Sequence, residues 1–133
     1  MLTKRRMQEN YLYEYAVVRI VPRVEREEFL NVGVILYCPK KGFLKVRYQL
    51  DAARLKAFSC NLEAAELEEY LRTLERICIG GKNGGPIGVL PIASRFRWLT
   101  ATRSTIIQTS KIHPGFCVEP EETLDRLYGL LVL

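Results

Sequence analysis

The chain has 133 residues, 48% hydrophobic and 26% charged, with a formal net charge of +5. This length suits one domain with an independent core, and the composition excludes a disordered chain and a membrane-embedded one. The longest apolar runs, such as "VGVIL" and "LLVL", fall far short of the roughly 20 residues that cross a bilayer, so no membrane partner is expected.

Residues 1–12 carry Lys4, Arg5 and Arg6 but turn polar at Gln8, Glu9 and Asn10, where a secretory leader needs an apolar stretch. They read as a flexible N-terminal segment of a cytoplasmic protein, ahead of a single domain over 13–133. "YEYAVVRIV", Tyr13 to Val21, is rich in β-branched and aromatic residues and stops at Pro22, which predicts a first strand. "NVGVILYC", Asn31 to Cys38, is apolar on both faces, the signature of a central strand covered on both sides. "PKKG" supplies a tight turn, and "FLKVRYQL" then alternates. Strands two and three are therefore expected to form an antiparallel hairpin, the third with one solvated face.

Asp51 is placed to cap a short helix, "AARLKAFS", and Asn61 a longer one. In the longer helix Leu67, Tyr70, Leu71, Leu74, Ile77 and Cys78 recur at helical spacing as a buried stripe, opposite a solvated face of Glu and Arg. "GGKNGGPIG" ends it. A phosphate-loop reading fails there, because that pattern needs a lysine after the glycines between a strand and a helix, and Pro86 occupies the lysine position. A helix end and loop is the better account.

In "PIASRFRWLTA" Ile92, Phe96 and Leu99 fit a helical stripe, whereas Phe96 and Trp98 alternating with Arg95 and Arg97 fit a strand; a short helix is preferred, with Phe96 and Trp98 in the core. "STIIQTSKI", 104–112, fits a fourth strand broken by "HPGF". Pro120 follows Glu119 and precedes Glu121 and Glu122, a good helix start, with Leu124, Leu127, Tyr128 and Leu131 as its buried stripe. The order β-β-β-α-α-(α)-β-α predicts an α+β domain, with a mainly antiparallel sheet of about four strands and helices packed on at least one face.

Four widely spaced cysteines, Cys38, Cys60, Cys78 and Cys117, and one histidine provide no zinc-ligand spacing. No metal site and no cofactor are expected. The cysteines read as free thiols, Cys38 and Cys78 as small buried hydrophobes, and only Cys117 in a context compatible with reactivity.

The polar residues of interest gather in "RFRWLTATRSTIIQTSKIHPGFC". Arg103 with Ser104 suits an anion pocket, against the alternative that Arg103 pairs with a helix carboxylate or caps a carbonyl. Gln108 and Ser110 share one strand face and need hydrogen-bond partners if buried, as a structural network or as a pocket floor. His113 is the candidate catalytic residue, as general acid or base, although a strand-end histidine is more often a turn residue. Trp98, Phe96 and Tyr48 with Arg95, Arg97 and Lys111 suit nucleic acid, against the alternative of an amphipathic element over a core.

Three phrases, "YAVVRIVPRVEREEFLNVGVILYC", "LDAARLKAF" and the stretch just quoted, resemble a bacterial family, domain-of-unknown-function family 3037. The resemblance covers Tyr13 to Val132. It carries over to Arg23, Glu28, Asn31 and Gly33, to Arg54, and to Arg95, Phe96, Trp98, Leu99, Arg103, Ser104, Gln108, Ser110 and His113. This chain has "ATRS" where the family form is "APRS", so the local turn differs. The resemblance implies a small bacterial cytoplasmic protein and an association with HipA-like kinases, and it names no reaction.

Arg23, Glu28, Asn31 and Arg54 would converge with Arg103–His113 on one pocket if strand four lies beside strand one. The first functional expectation is a non-enzymatic binding or accessory module that recognises an anionic group or a protein partner, such as a HipA-like kinase, through a basic, hydroxyl-rich surface. The alternatives are a nucleic-acid-binding protein, nucleolytic or not, and a small hydrolase or transferase using His113.

Overall fold

The computed structural model describes residues 10–59, 62–103 and 105–133. Its strands are β1 (Tyr11–Ile20), β2 (Leu30–Cys38), β3 (Phe43–Tyr48), β4 (Ile107–Thr109) and β5 (His113–Cys117). Its helices are α1 (Ala52–Phe58), α2 (Ala64–Ile79), the single turn α3 (Gly85–Gly88), α4 (Ile92–Leu99) and α5 (Pro120–Leu131). The fold is α+β. All strand pairings are antiparallel, in the order β3-β2-β1-β4, with β5 also on β1.

The hairpin of β2 and β3 turns through Pro39–Lys41 and closes on Gly42, whose φ of 57° favours glycine. β2 lies between β1 and β3 and is buried on both faces. Val32, Ile35 and Tyr37 meet a core with Leu67, Leu71, Phe96 and Leu99 from α2 and α4, whereas Val34, Leu36 and Cys38 meet Leu124 and Leu127 of α5. This arrangement explains why its sequence is a continuous apolar run, and it places helices on both sides of the sheet. Gly33 sits where β3 approaches closely: a Cβ there would stand 2.8 Å from the Arg47 carbonyl oxygen and 2.9 Å from the Tyr48 Cβ.

Asp51 caps α1 as its position predicts, accepting from the amides of Ala53 and Arg54. Glu63 holds the N-cap position of α2. Asn61, the expected cap, lies outside the described residues, as do residues 1–9 of the N-terminal segment.

Four expectations need correction. "HPGFC" forms β5 rather than ending a strand, because β1 is long enough to pair with β4 through Val18–Ile20 and with β5 through Tyr11–Tyr15. The charged face of β3 is not simply solvated: α5 crosses it, and Glu121 takes both Lys45, at 2.7 Å, and Arg47, at 3.2 Å, while Asp125 takes Arg47 at 2.8 Å. Tyr70 and Trp98, read as core residues, are 64% and 40% exposed, although Phe96 is fully buried. Cys117 is buried beneath α5, and burial together with the neighbouring Cys38 thiol pushes its own thiol up from the ordinary value, the opposite of what reactivity requires.

Candidate functional site

The last carbonyls of a helix have no intrahelical donors and carry the negative end of its dipole, and Arg95, Arg103 and Arg54 go to such ends. Arg95 on α4 reaches the last turn of α2, with one Nη1 donating to the carbonyls of Ile77 and Cys78 at 2.8 Å each, and its Nε donates to Leu90. Arg103 turns back over its own helix, α4, donating to the carbonyls of Leu99, Ala101 and Trp98, with its guanidinium 4.3 Å from the Trp98 ring. Arg54 donates to Val132 at 2.9 Å, and Asn31 Nδ2 to Leu131 at 3.1 Å, so these two hold the end of α5. Capping is thus the local role of each of these groups.

Ser110 is a joint between β4 and β5. Its amide donates to the Val17 carbonyl, and its Oγ accepts from the Val17 amide at 2.8 Å while donating to Lys111. The buried hydroxyl replaces a ladder acceptor where the strand is interrupted. Gln108 Nε2 donates to Thr105 at 2.8 Å, which ties the loop after Arg103 to β4. The His113 ring stacks on Tyr15 with centroids 5.2 Å apart. Ser104, the hydroxyl paired with Arg103 in the sequence reading, lies outside the described residues.

β4 does lie beside β1, yet Asn31 with Arg54, Arg23 with Glu28, and Arg103 with Gln108 line three separate cavities that share no residue, and Ser110 and His113 line none of them. Asn31 and Arg54 line a water-sized hole with Gln49 and Asp51, where Asn31 Oδ1 is buried without a partner in the described structure. Arg23 and Glu28 line a second of about 260 Å³, with Phe58 and Ser59, and Glu28 is engaged by Arg26 at 2.6 Å, which draws its carboxyl below the usual range. Arg103 and Gln108 line a third. The groups proposed for nucleic acid are likewise separated: Phe96 is buried, Arg97 is bound to Glu14 at 3.2 Å, and the Tyr48 hydroxyl faces Glu75.

The third cavity is the largest of these, a cleft of about 540 Å³ between α2, α4 and the edge of the sheet. Tyr70, Thr73 and Leu74 supply one wall and Trp98, Leu99 and Arg103 another, while residues 105–109 close it. Its volume falls in the range of specific ligand pockets. Its lining is mainly apolar, with Arg103 as the single charged group among the described residues. Sequence reasoning assigned Tyr70 to the buried stripe because it lies three residues from Leu67 and four from Leu74; its polar ring end, on a helix otherwise stocked with leucine, was the available sign of a wet position.

Searches of the curated proteins and of the solved structures return no match. The model of a family described as protein of unknown function, DUF3037, matches residues 15–132, nearly the whole length, and the chain belongs to that family.

Proposed function

We propose that the protein is a non-enzymatic binding module and that it recognises a partner protein through the cleft of Tyr70, Trp98 and Arg103. The observation that carries this reading is the exposure of two large aromatic side chains, Tyr70 and Trp98, on the walls of one mainly apolar cleft, since exposed aromatic clusters beside arginine are the usual anchors of protein interfaces. An anionic group alone fits less well, because the described lining sets Arg103 among mainly apolar side chains. A HipA-like kinase in the cytoplasm is the first partner proposed, on the family association given above.

Two facts weigh against the alternatives. The chain carries a modest net charge of +5. A non-specific nucleic-acid footprint calls for a larger clustered excess. For a hydrolase, a nucleophile pair requires a hydrogen bond from the base to a serine or cysteine, and among the described residues the contact of His113 is the Tyr15 ring.

The test is direct binding of a purified HipA-like kinase to the full chain and to Tyr70→Glu and His113→Ala. Binding that survives His113→Ala and is lost in Tyr70→Glu supports the cleft. Binding insensitive to Tyr70→Glu, or turnover of any substrate abolished by His113→Ala with the fold intact, overturns the reading.

A further inference from the structure

We infer that β4 and the cleft beside it receive an extended segment of a partner protein as an added strand, with an acidic side chain of that segment set against Arg103. The inference rests on the reading of the cleft as a partner site and specifies the mode and chemistry of the partner.

β4 ends the strand order β3-β2-β1-β4. The Val21 amide donates to the Ile106 carbonyl at 2.6 Å and the Ser110 amide to the Val17 carbonyl at 2.8 Å, and Gln108 stands opposite Arg19 between them. Antiparallel ladders alternate, so the main-chain groups of Ile106, Gln108 and Ser110 point to β1 and those of Ile107 and Thr109 point away from it. Of these outward groups the Ile107 carbonyl accepts from Thr105 Oγ1 at 2.7 Å. An edge of this kind is a template for strand addition.

The other sheet edges carry guards. β3 has Lys45 and Arg47, and β5 has Pro114, devices that discourage pairing. The three residues of β4, Ile-Gln-Thr, include neither charge nor proline. The cleft runs alongside this edge, so alternate side chains of an added strand would face Tyr70, Leu74 and Trp98.

Charge complementarity defines the occupant further. Among the described residues Arg103 is the one charged side chain lining the cleft, and its hydrogen bonds there go to neutral carbonyls. A carboxylate brought by the partner would give this cation the charge-assisted contact that the described residues do not supply. The segment is therefore one of alternating apolar residues with an Asp or Glu at its Arg103 end.

The probe is a displayed library of random short peptides selected on the full chain, followed by synthesis of the best binder. Enriched sequences are expected to alternate apolar residues and to contain an acid, and replacing that acid by its amide is expected to weaken binding about tenfold. N-methylation along the peptide is expected to cost about tenfold at alternate residues, whose amides face β4, and little at the residues between. Thr109→Pro removes an outward amide while keeping the β1 ladder, and is expected to weaken the peptide with an unchanged thermal midpoint; should the variant unfold, the N-methyl scan decides alone. Peptides weakened by Tyr70→Ala but indifferent to the register of N-methylation would overturn strand addition and leave the cleft reading standing. Peptides indifferent to Tyr70→Ala as well, or no enrichment, would overturn both. Self-association lost in Thr109→Pro would assign the edge to a second copy of the chain and overturn the partner proposal.

Discussion

Arg95 on α4 donates to the carbonyl of Cys78 in the last turn of α2, at 2.8 Å, and the same Nη1 reaches the Ile77 carbonyl. The bond joins two helices that both pack on one face of the sheet, so it fixes their relative position as well as satisfying carbonyls. Removing a charged donor leaves part-buried acceptors without partners, which costs about 1.5–3 kcal/mol. Arg95→Met is expected to lower unfolding free energy by that amount in urea melts, and Arg95→Lys to recover only part of it, because an ammonium lacks the planar fork that serves Ile77, Cys78 and Leu90 together.

Ser110→Ala removes the acceptor of the buried Val17 amide and leaves that N–H unsatisfied in the middle of β1. The expected cost is about 1–3 kcal/mol. Hydrogen exchange at Val17 should accelerate more than at Val34 on β2. Equal protection in variant and wild type would show that the hydroxyl is dispensable.

Gly33→Ala places a methyl group against the backbone of β3, 2.8 Å from the Arg47 carbonyl oxygen. Backbone cannot swing aside as a side-chain tip can, so the β2–β3 spacing must open. Overpacking of this kind costs about 1–3 kcal/mol, read as a lowered denaturation midpoint.

Lys45, by hydrogen bond and charge, holds the Glu121 carboxyl below its ordinary value of 4.5, with Arg47 adding to the effect. In the window just below 4.5 the unfolded chain binds more protons at this residue than the folded one, so stability there rises with pH. The contribution is fully present above 4.5 and is lost as pH falls through the lower folded-state value. Glu121 and Lys45 are both more than a third exposed, so screening limits the contribution to less than about 1 kcal/mol. Glu121→Gln is expected to flatten the acid limb of the stability profile by that amount, with the effect shrinking in high salt.

Cys38, Cys78 and Cys117 are buried, and burial pushes the Cys78 thiol up to about 12. A thiol-specific reagent at neutral pH is expected to leave all three unmodified in the native protein and to reach them on unfolding, since thiolate is the reacting form. Rapid native modification of Cys117, assigned by peptide mapping, would contradict its placement under α5.

Much of the architecture was written in local pattern. β2 was legible as a two-sided strand because every second residue on each face is apolar, and the hairpin after it because Pro39 and Gly42 bracket the turn. Asp51 and the Glu119-Pro120 start announced their helices through chemistry that acts within a few residues. β5 was not legible: Pro114 and Gly115 are local breakers, and they are tolerated because, among the described residues, β5 pairs along one side only, with β1.

By itself the sequence determined an α+β chain with a central apolar strand, an antiparallel hairpin and a polar constellation from Arg95 to His113, since these depend on period, turn residues and residue type. Only the tertiary structure decided what that constellation does. Whether Arg95 and Arg54 meet carbonyls or open solvent depends on which helix ends lie beside them, and helices distant in sequence supply those ends. Whether Tyr70 and Trp98 are core or cleft depends on how far α2 and α4 extend beyond the edge at β4, a distance set by the packing of whole elements and invisible in the spacing of any one of them.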